Sequence, residues 1–120
     1  MSTKDKKLNQ AIQDLNQAML SAAQAHKNVV IYAGISKLFE TCLEYAWKYF
    51  KQQALDEGLE VFSPKDAIKM AGRMDLIDSV EDWLGFLEGR NLAVHDYQGV
   101  SQDDYLNTIR KFLSAVKKIK

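Results

Sequence analysis

The 120-residue chain has one cysteine, one proline and two histidines, and it carries no net charge. A lone Cys42 excludes an intrachain disulfide, and with only His26 and His95 beside it a zinc cluster would lack its usual ligands. No metal and no cofactor is therefore expected. Sixteen Lys and Arg balance sixteen Asp and Glu, so no global positive field draws in nucleic acid or anionic membrane, and any phosphate binding has to be local. No run approaches the roughly 18 apolar residues of a membrane span, and the start, MSTKDKKLNQ, lacks the apolar core of a signal peptide. The expected location is the cytoplasm. With only six glycines, and neither a repeat nor a linker-like tract, the chain reads as a single domain over residues 1–120, long enough for one core and too short for two.

What is present is helical periodicity. From Lys6 to Ala25 the apolar positions Leu8, Ala11, Ile12, Leu15, Ala18, Met19 and Ala22 recur at three- and four-residue steps, which predicts a first amphipathic helix. His26, just beyond it, reads as a helix-end cation or a solvated side chain. A second helix is predicted from Val29 to about Asp56, with Gly58 as its stop. Its apolar face, from Ile31 through Phe39, Leu43 and Trp47 to Phe50, is too wide for a single stripe, so this helix should be central and Cys42 a buried, inert thiol.

Ser63-Pro64-Lys65-Asp66 combines a capping serine, a proline at the first helical position and an acid in the first turn, the signal for a short helix to about Ala71. Ser79 with Asp82, and Ser101 before Gln102-Asp103-Asp104, start two more helices, the last ending in the cationic KKIK. The expected fold is all-α, an up-and-down four-helix bundle with an additional short helix.

The helix after Ser79 carries the sequence EGRNLAVHDY, and here one residue is out of place. At about 100° per residue, Trp83, Phe86, Leu87 and Val94 share one arc, and Arg90 falls in the middle of it. A guanidinium cannot shed its charge, so on a core-facing arc it needs an acid or a phosphate. Glu40 or Glu44, at the edge of the second helix's apolar face, could supply the acid. His95 lies about 140° further around an ideal helix. Either the helix ends near Val94, or Arg90 and His95 meet across chains. Gly85 and Gly89 leave one side of this helix bare, for close helix packing or for a ligand. Asn91 can cap locally or orient a phosphate oxygen, and Tyr97 can serve the core, donate a hydrogen bond or accept a modification.

Arg90-Asn91-Leu92-Ala93-Val94-His95 resembles the arginine, four residues, histidine signature of the HEPN superfamily, and Tyr97 extends the likeness to its nucleotidyltransferase substrate-binding branch, which includes the HepT toxins. LFETCLEYAWKYFKQQALDEGL, SPKDAIKMA and LIDSVEDWLGFLEGRN are similar to that branch's second, short and motif helices, so the resemblance covers about Leu38 to Tyr97. Gly89, directly before the motif arginine, departs from the larger residue expected there.

The resemblance implies a homodimer or higher homo-oligomer whose motif helices line a shared cleft, with a minimal nucleotidyltransferase as partner. It implies a metal-independent endoribonuclease toxin acting on RNA, with Arg90 and His95 catalytic and Asn91 orienting the phosphate. Tyr97 would be the residue that the partner adenylylates to silence the cleft. The alternative within the family is a non-catalytic accessory subunit that presents substrate or nucleotide to a nucleotidyltransferase. Outside it stands a helical interaction module in which Arg90 pairs with Glu40 or Glu44.

Overall fold

The computed structural model describes residues 5–95 and 101–120, with the backbone alone at Val94 and His95. Among these residues there are five α-helices and no strand: α1 (Lys6–Met19), α2 (Val29–Asp56), α3 (Pro64–Arg73), α4 (Val80–His95) and α5 (Gln102–Val116). Each helix packs against the next in sequence, and α5 returns against α1 to close an up-and-down bundle.

Local chemistry sets the boundaries. Asp5 accepts from Leu8 N at 2.7 Å to begin α1. Asn28 Oδ1 caps α2, accepting from Val30 N and Ile31 N. Ser63, Ser79 and Ser101 each accept through Oγ from the backbone N–H three residues on, at 3.1 Å. Each such cap satisfies a donor that the helix leaves open and contributes about 1 kcal/mol. Gly58 stops α2 with φ of +77°, its N–H donating to Leu55 O while Leu59 N donates to Ala54 O. An L side chain at that φ would be strained.

Two boundaries differ from the expectation. The first α-helix stops at Met19 rather than Ala25, and Ala22–Gln24 form a 3₁₀ turn. Bonds from Ser21 N to Ala18 O and from Ala25 N to Ala22 O span three residues instead of the four of an α-helix and so tighten the chain. Ala22 and Ala25 are nevertheless both buried, because a three-residue step suits 3₁₀ geometry as well as α. The short helix runs to Arg73, two residues past Ala71, and turns at Asp75, whose φ of 58° lets Leu76 N reach Ala71 O at 2.9 Å.

α2 is 28 residues long, about 42 Å at 1.5 Å per residue, and spans most of the molecule's 47 Å axis. Its buried Ile35, Phe39, Leu43, Tyr49 and Phe50 make it central, and Cys42 is fully buried beside them. Edge-to-face rings tie the helices together: Phe112 of α5 meets Phe39 of α2 at 5.1 Å, and Phe86 and Trp83 of α4 at 5.5 Å each. Trp83 in turn meets Phe50 at 5.1 Å. Gly72 of α3 has no room for a Cβ, which would collide with Cγ2 of Val80. That close approach carries α4 past α3. The C-terminus folds back, with Lys120 N donating to Leu76 O at 3.1 Å and Tyr49 OH donating to Lys120 O at 3.3 Å.

Candidate functional site

Trp83, Phe86 and Ala93 are the buried residues of α4's inner stripe, and Arg90 continues that stripe between the last two. Its side chain is half-buried rather than core. A long aliphatic stem covers apolar surface while the charged head reaches the edge, which resolves the apparent conflict of an arginine on a core arc. Arg90 Nε donates to Asn91 Oδ1 at 2.9 Å. The other guanidinium N–H groups have no hydrogen-bond partner among the described residues, so they present donors suited to a planar or tetrahedral oxyanion.

Among the described residues neither of the two candidate carboxylates, Glu40 and Glu44, pairs with Arg90, and exposed Glu44 lies 3.8 Å from Lys48 one turn along the same helix. The α2 face that holds Glu40 also holds Ser36, four residues earlier, and it is directed to α5: Ser36 Oγ and Tyr105 OH are hydrogen-bonded at 3.0 Å. Tyr105 is 2% exposed, and its ring packs edge-on against Phe39 and Tyr32. Burial pushes its phenol up to about 12; the Ser36 hydrogen bond and the Arg90 charge act against that rise, and the Glu40 and Tyr32 charges act with it. Glu40 and Arg90 therefore both act on one buried hydroxyl without pairing with each other. Sequence pattern does not reveal this pair: Tyr105 fits the apolar periodicity of α5, and a hydroxyl such as Ser36 on a broad apolar helix gives no periodic signal.

α4 continues through His95. The helix does not end before it, and positions 90 and 95 stand about 140° apart around the axis. The side chain of His95, and all of Tyr97, lie outside the described residues. The two glycines take different roles. A Cβ at Gly89 would stand 3.2 Å from Thr108 Cγ2, so this glycine serves the close approach of α4 and α5. Gly85, one turn earlier, meets nothing within 4 Å and opens into an α4–α5 groove of about 450 Å³. Asp78, Glu81 and Asp82 line one wall of that groove and Lys111 and Lys118 the other.

His26, read as a helix-end cation, instead reaches across the bundle, its Nε2 standing 2.9 Å from Asp103 Oδ1 in the first turn of α5. Burial raises the Cys42 thiol to about 12, which keeps it in its protonated, unreactive form. Among the described residues no group of three or more His, Cys, Asp or Glu is placed to hold a metal ion, and no helix is long and apolar enough to cross a membrane.

Comparison with known proteins adds to this geometry. The profile of a family described as "nucleotidyltransferase substrate binding protein like" matches residues 4–120. No curated protein matches. Among solved structures the fold is shared with a tri-AMPylated HEPN toxin from Shewanella oneidensis, solved in complex with its MNT antitoxin. That likeness has a TM-score of 0.70 at 17% sequence identity and covers 92% of this chain and 91% of the other.

Proposed function

The chain belongs to the nucleotidyltransferase substrate binding protein-like family, and on that premise we propose that it is a HEPN-type helical partner of a minimal nucleotidyltransferase and a metal-independent endoribonuclease toxin silenced by adenylylation of Tyr97. The observation that carries this reading is Arg90: its Nε is fixed by Asn91, its other donors meet no hydrogen-bond partner among the described residues, and it stands on the same helix as His95.

In this mechanism the ribose 2′-hydroxyl attacks the adjacent phosphorus and the P–O5′ bond breaks, leaving a 2′,3′-cyclic phosphate and a 5′-hydroxyl. The histidine's near-neutral range suits it to both proton transfers, so His95 takes the 2′-hydroxyl proton or returns one to the leaving oxygen. Arg90 holds the phosphoryl oxygens as charge develops on them, and Asn91 keeps the guanidinium oriented. Because positions 90 and 95 diverge around one helix, the reading places the complete site in a homodimer cleft, with one chain supplying what the other lacks. Leu92, 43% exposed on α4 beside Asn91, gives the motif helix an uncovered apolar residue for that contact. An AMP group on Tyr97 would add bulk and negative charge beside the phosphate site and repel RNA. The AMPylated toxin bound to an MNT antitoxin, similar in fold, supports both the partner class and the modification.

Incubation of the purified chain with RNA in EDTA should give fragments ending in 2′,3′-cyclic phosphate, DNA should be spared, and His95→Ala should abolish cleavage. Equal cleavage by that variant, or none by the wild type, rejects the catalytic reading. The family's description favours a second reading, an accessory subunit that presents substrate to the transferase. It requires a stable complex on co-purification, with growth unaffected by His95→Ala.

A further inference from the structure

The balanced charge of the chain conceals an uneven distribution. From Tyr105 to Lys120 there are five cations, Arg110, Lys111, Lys117, Lys118 and Lys120, and no acid; all sixteen acids lie before Tyr105. Lys117, Lys118 and Lys120 follow the end of α5 at Val116, where cations complement the helix dipole, but Arg110 and Lys111 lie mid-helix, where that explanation does not reach. With the rotation of α5, about 100° per residue, carried on through its αR C-cap Lys117 to Lys118, Arg110, Lys111, Lys117 and Lys118 fall within an arc of about 120°, with Ser114 inside it. All five side chains are exposed.

Two of these groups meet neutral side chains, Arg110 Nη1 donating to Asn107 Oδ1 at 2.8 Å and Lys117 Nζ to Asn16 Oδ1 at 2.8 Å, whereas Lys120, which does not line the furrow on the α1 side, stands 3.9 Å from Asp78 Oδ1. Among the described residues no carboxylate forms an ion pair with Arg110, Lys111 or Lys118. Two depressions flank the ridge. The α4–α5 groove has an acidic opposite wall, Asp78, Glu81 and Asp82, which repels a polyanion. The furrow on the α1 side, about 440 Å³, is lined by Met19, Arg110, Leu113, Ser114, Lys117 and Lys118 and contains no acid. Among the described residues its floor holds no aromatic ring for a base to stack on, so what it offers a polyanion is its cations.

We propose that the acid-free furrow between α1 and α5 is a binding track for the sugar-phosphate backbone of single-stranded RNA, with Arg110, Lys117 and Lys118 contacting phosphates. The choice of RNA over another polyanion rests on the ribonuclease reading. The track gives a chain of zero net charge a local means of holding a long anionic substrate while Arg90 engages one phosphate.

The test measures binding of a fluorescein-labelled 2′-O-methyl oligouridylate of about twelve nucleotides, which cannot be cleaved by 2′-hydroxyl attack, across a salt series. Arg110→Gln with Lys118→Gln should weaken binding at least tenfold and flatten the log–log salt slope by about 1.4, two contacts at about 0.7 each. Lys65→Gln with Lys69→Gln, removing the same charge from α3, should leave both unchanged. On cleavable RNA the α5 variant should raise KM for long substrates and leave dinucleotide cleavage unaltered. An unchanged slope, an equal loss in the α3 variant, or competition by polyglutamate as strong as by RNA would overturn the proposal, the last pointing to an acidic protein partner. If the wild type binds through this face but does not cleave, the ribonuclease reading fails and the track stands. If it cleaves and the α5 variant binds normally, the track fails and the catalytic reading stands.

Discussion

Arg90 shows how much a single side chain's length changes a helical-wheel argument. Its position belongs to the stripe of Phe86 and Ala93, yet its head reaches Asn91 at the edge. Arg90→Lys keeps the charge but loses the planar fork and the Nε–Asn91 bond, so RNA cleavage should fall about 10²-fold while the melting temperature stays near that of the wild type. Tyr105 and Cys42 give a pH prediction. Both are raised to about 12 from ordinary values of 10 and 9. The unfolded chain therefore ionises first, so their contribution is complete below pH 9 and is lost as pH climbs towards 12. Urea unfolding at pH 7 to 9 should show no loss from these groups, and at higher pH the midpoint should drop, less steeply in Cys42→Ala.

At the level of elements, close approach and capping can be separated by substitution. Gly72→Ala forces a Cβ into Val80 and should cost about 1–3 kcal/mol, as overpacked sites do. Gly85→Ala meets nothing and should stabilise by up to about 1 kcal/mol through helix propensity. Gly89→Ala, against Thr108, should gain less than Gly85→Ala; equal gains in denaturant titration would show that the α4–α5 approach does not depend on this glycine. The caps were legible beforehand because Ser63, Ser79 and Ser101 each precede an acid three residues on, a purely local signal. The break at Met19 was not, because the buried alanines at 22 and 25 satisfy α and 3₁₀ spacing alike.

For the molecule as a whole, Phe112 joins α2 and α4 to α5 through three ring contacts. Phe112→Ala should lower stability by about 3–5 kcal/mol in a single cooperative urea transition. Loss of α5 structure alone, with α2 and α4 retained, would show that the rings do not couple the helices. Charge also acts at this scale: a net of zero hides a run free of acids from Tyr105 to Lys120, and only the packing of α5 against α1 turns that run into a furrow.

Periodicity, caps and the wide apolar face of α2 determined the helices, their order and the centre of the bundle, since each depends on residues within a few turns of one another. The same sequence fixed which residues were candidates, Arg90, Asn91, His95 and Tyr97. Tertiary structure decided what the candidates face. It withheld Glu40 and Glu44 from Arg90, set Ser36 against Tyr105 and His26 against Asp103, and gave Gly85 and Gly89 opposite roles. These pairings join residues up to 77 positions apart. They depend on the angles at which packed helices rotate about their axes, which no repeat within one helix encodes.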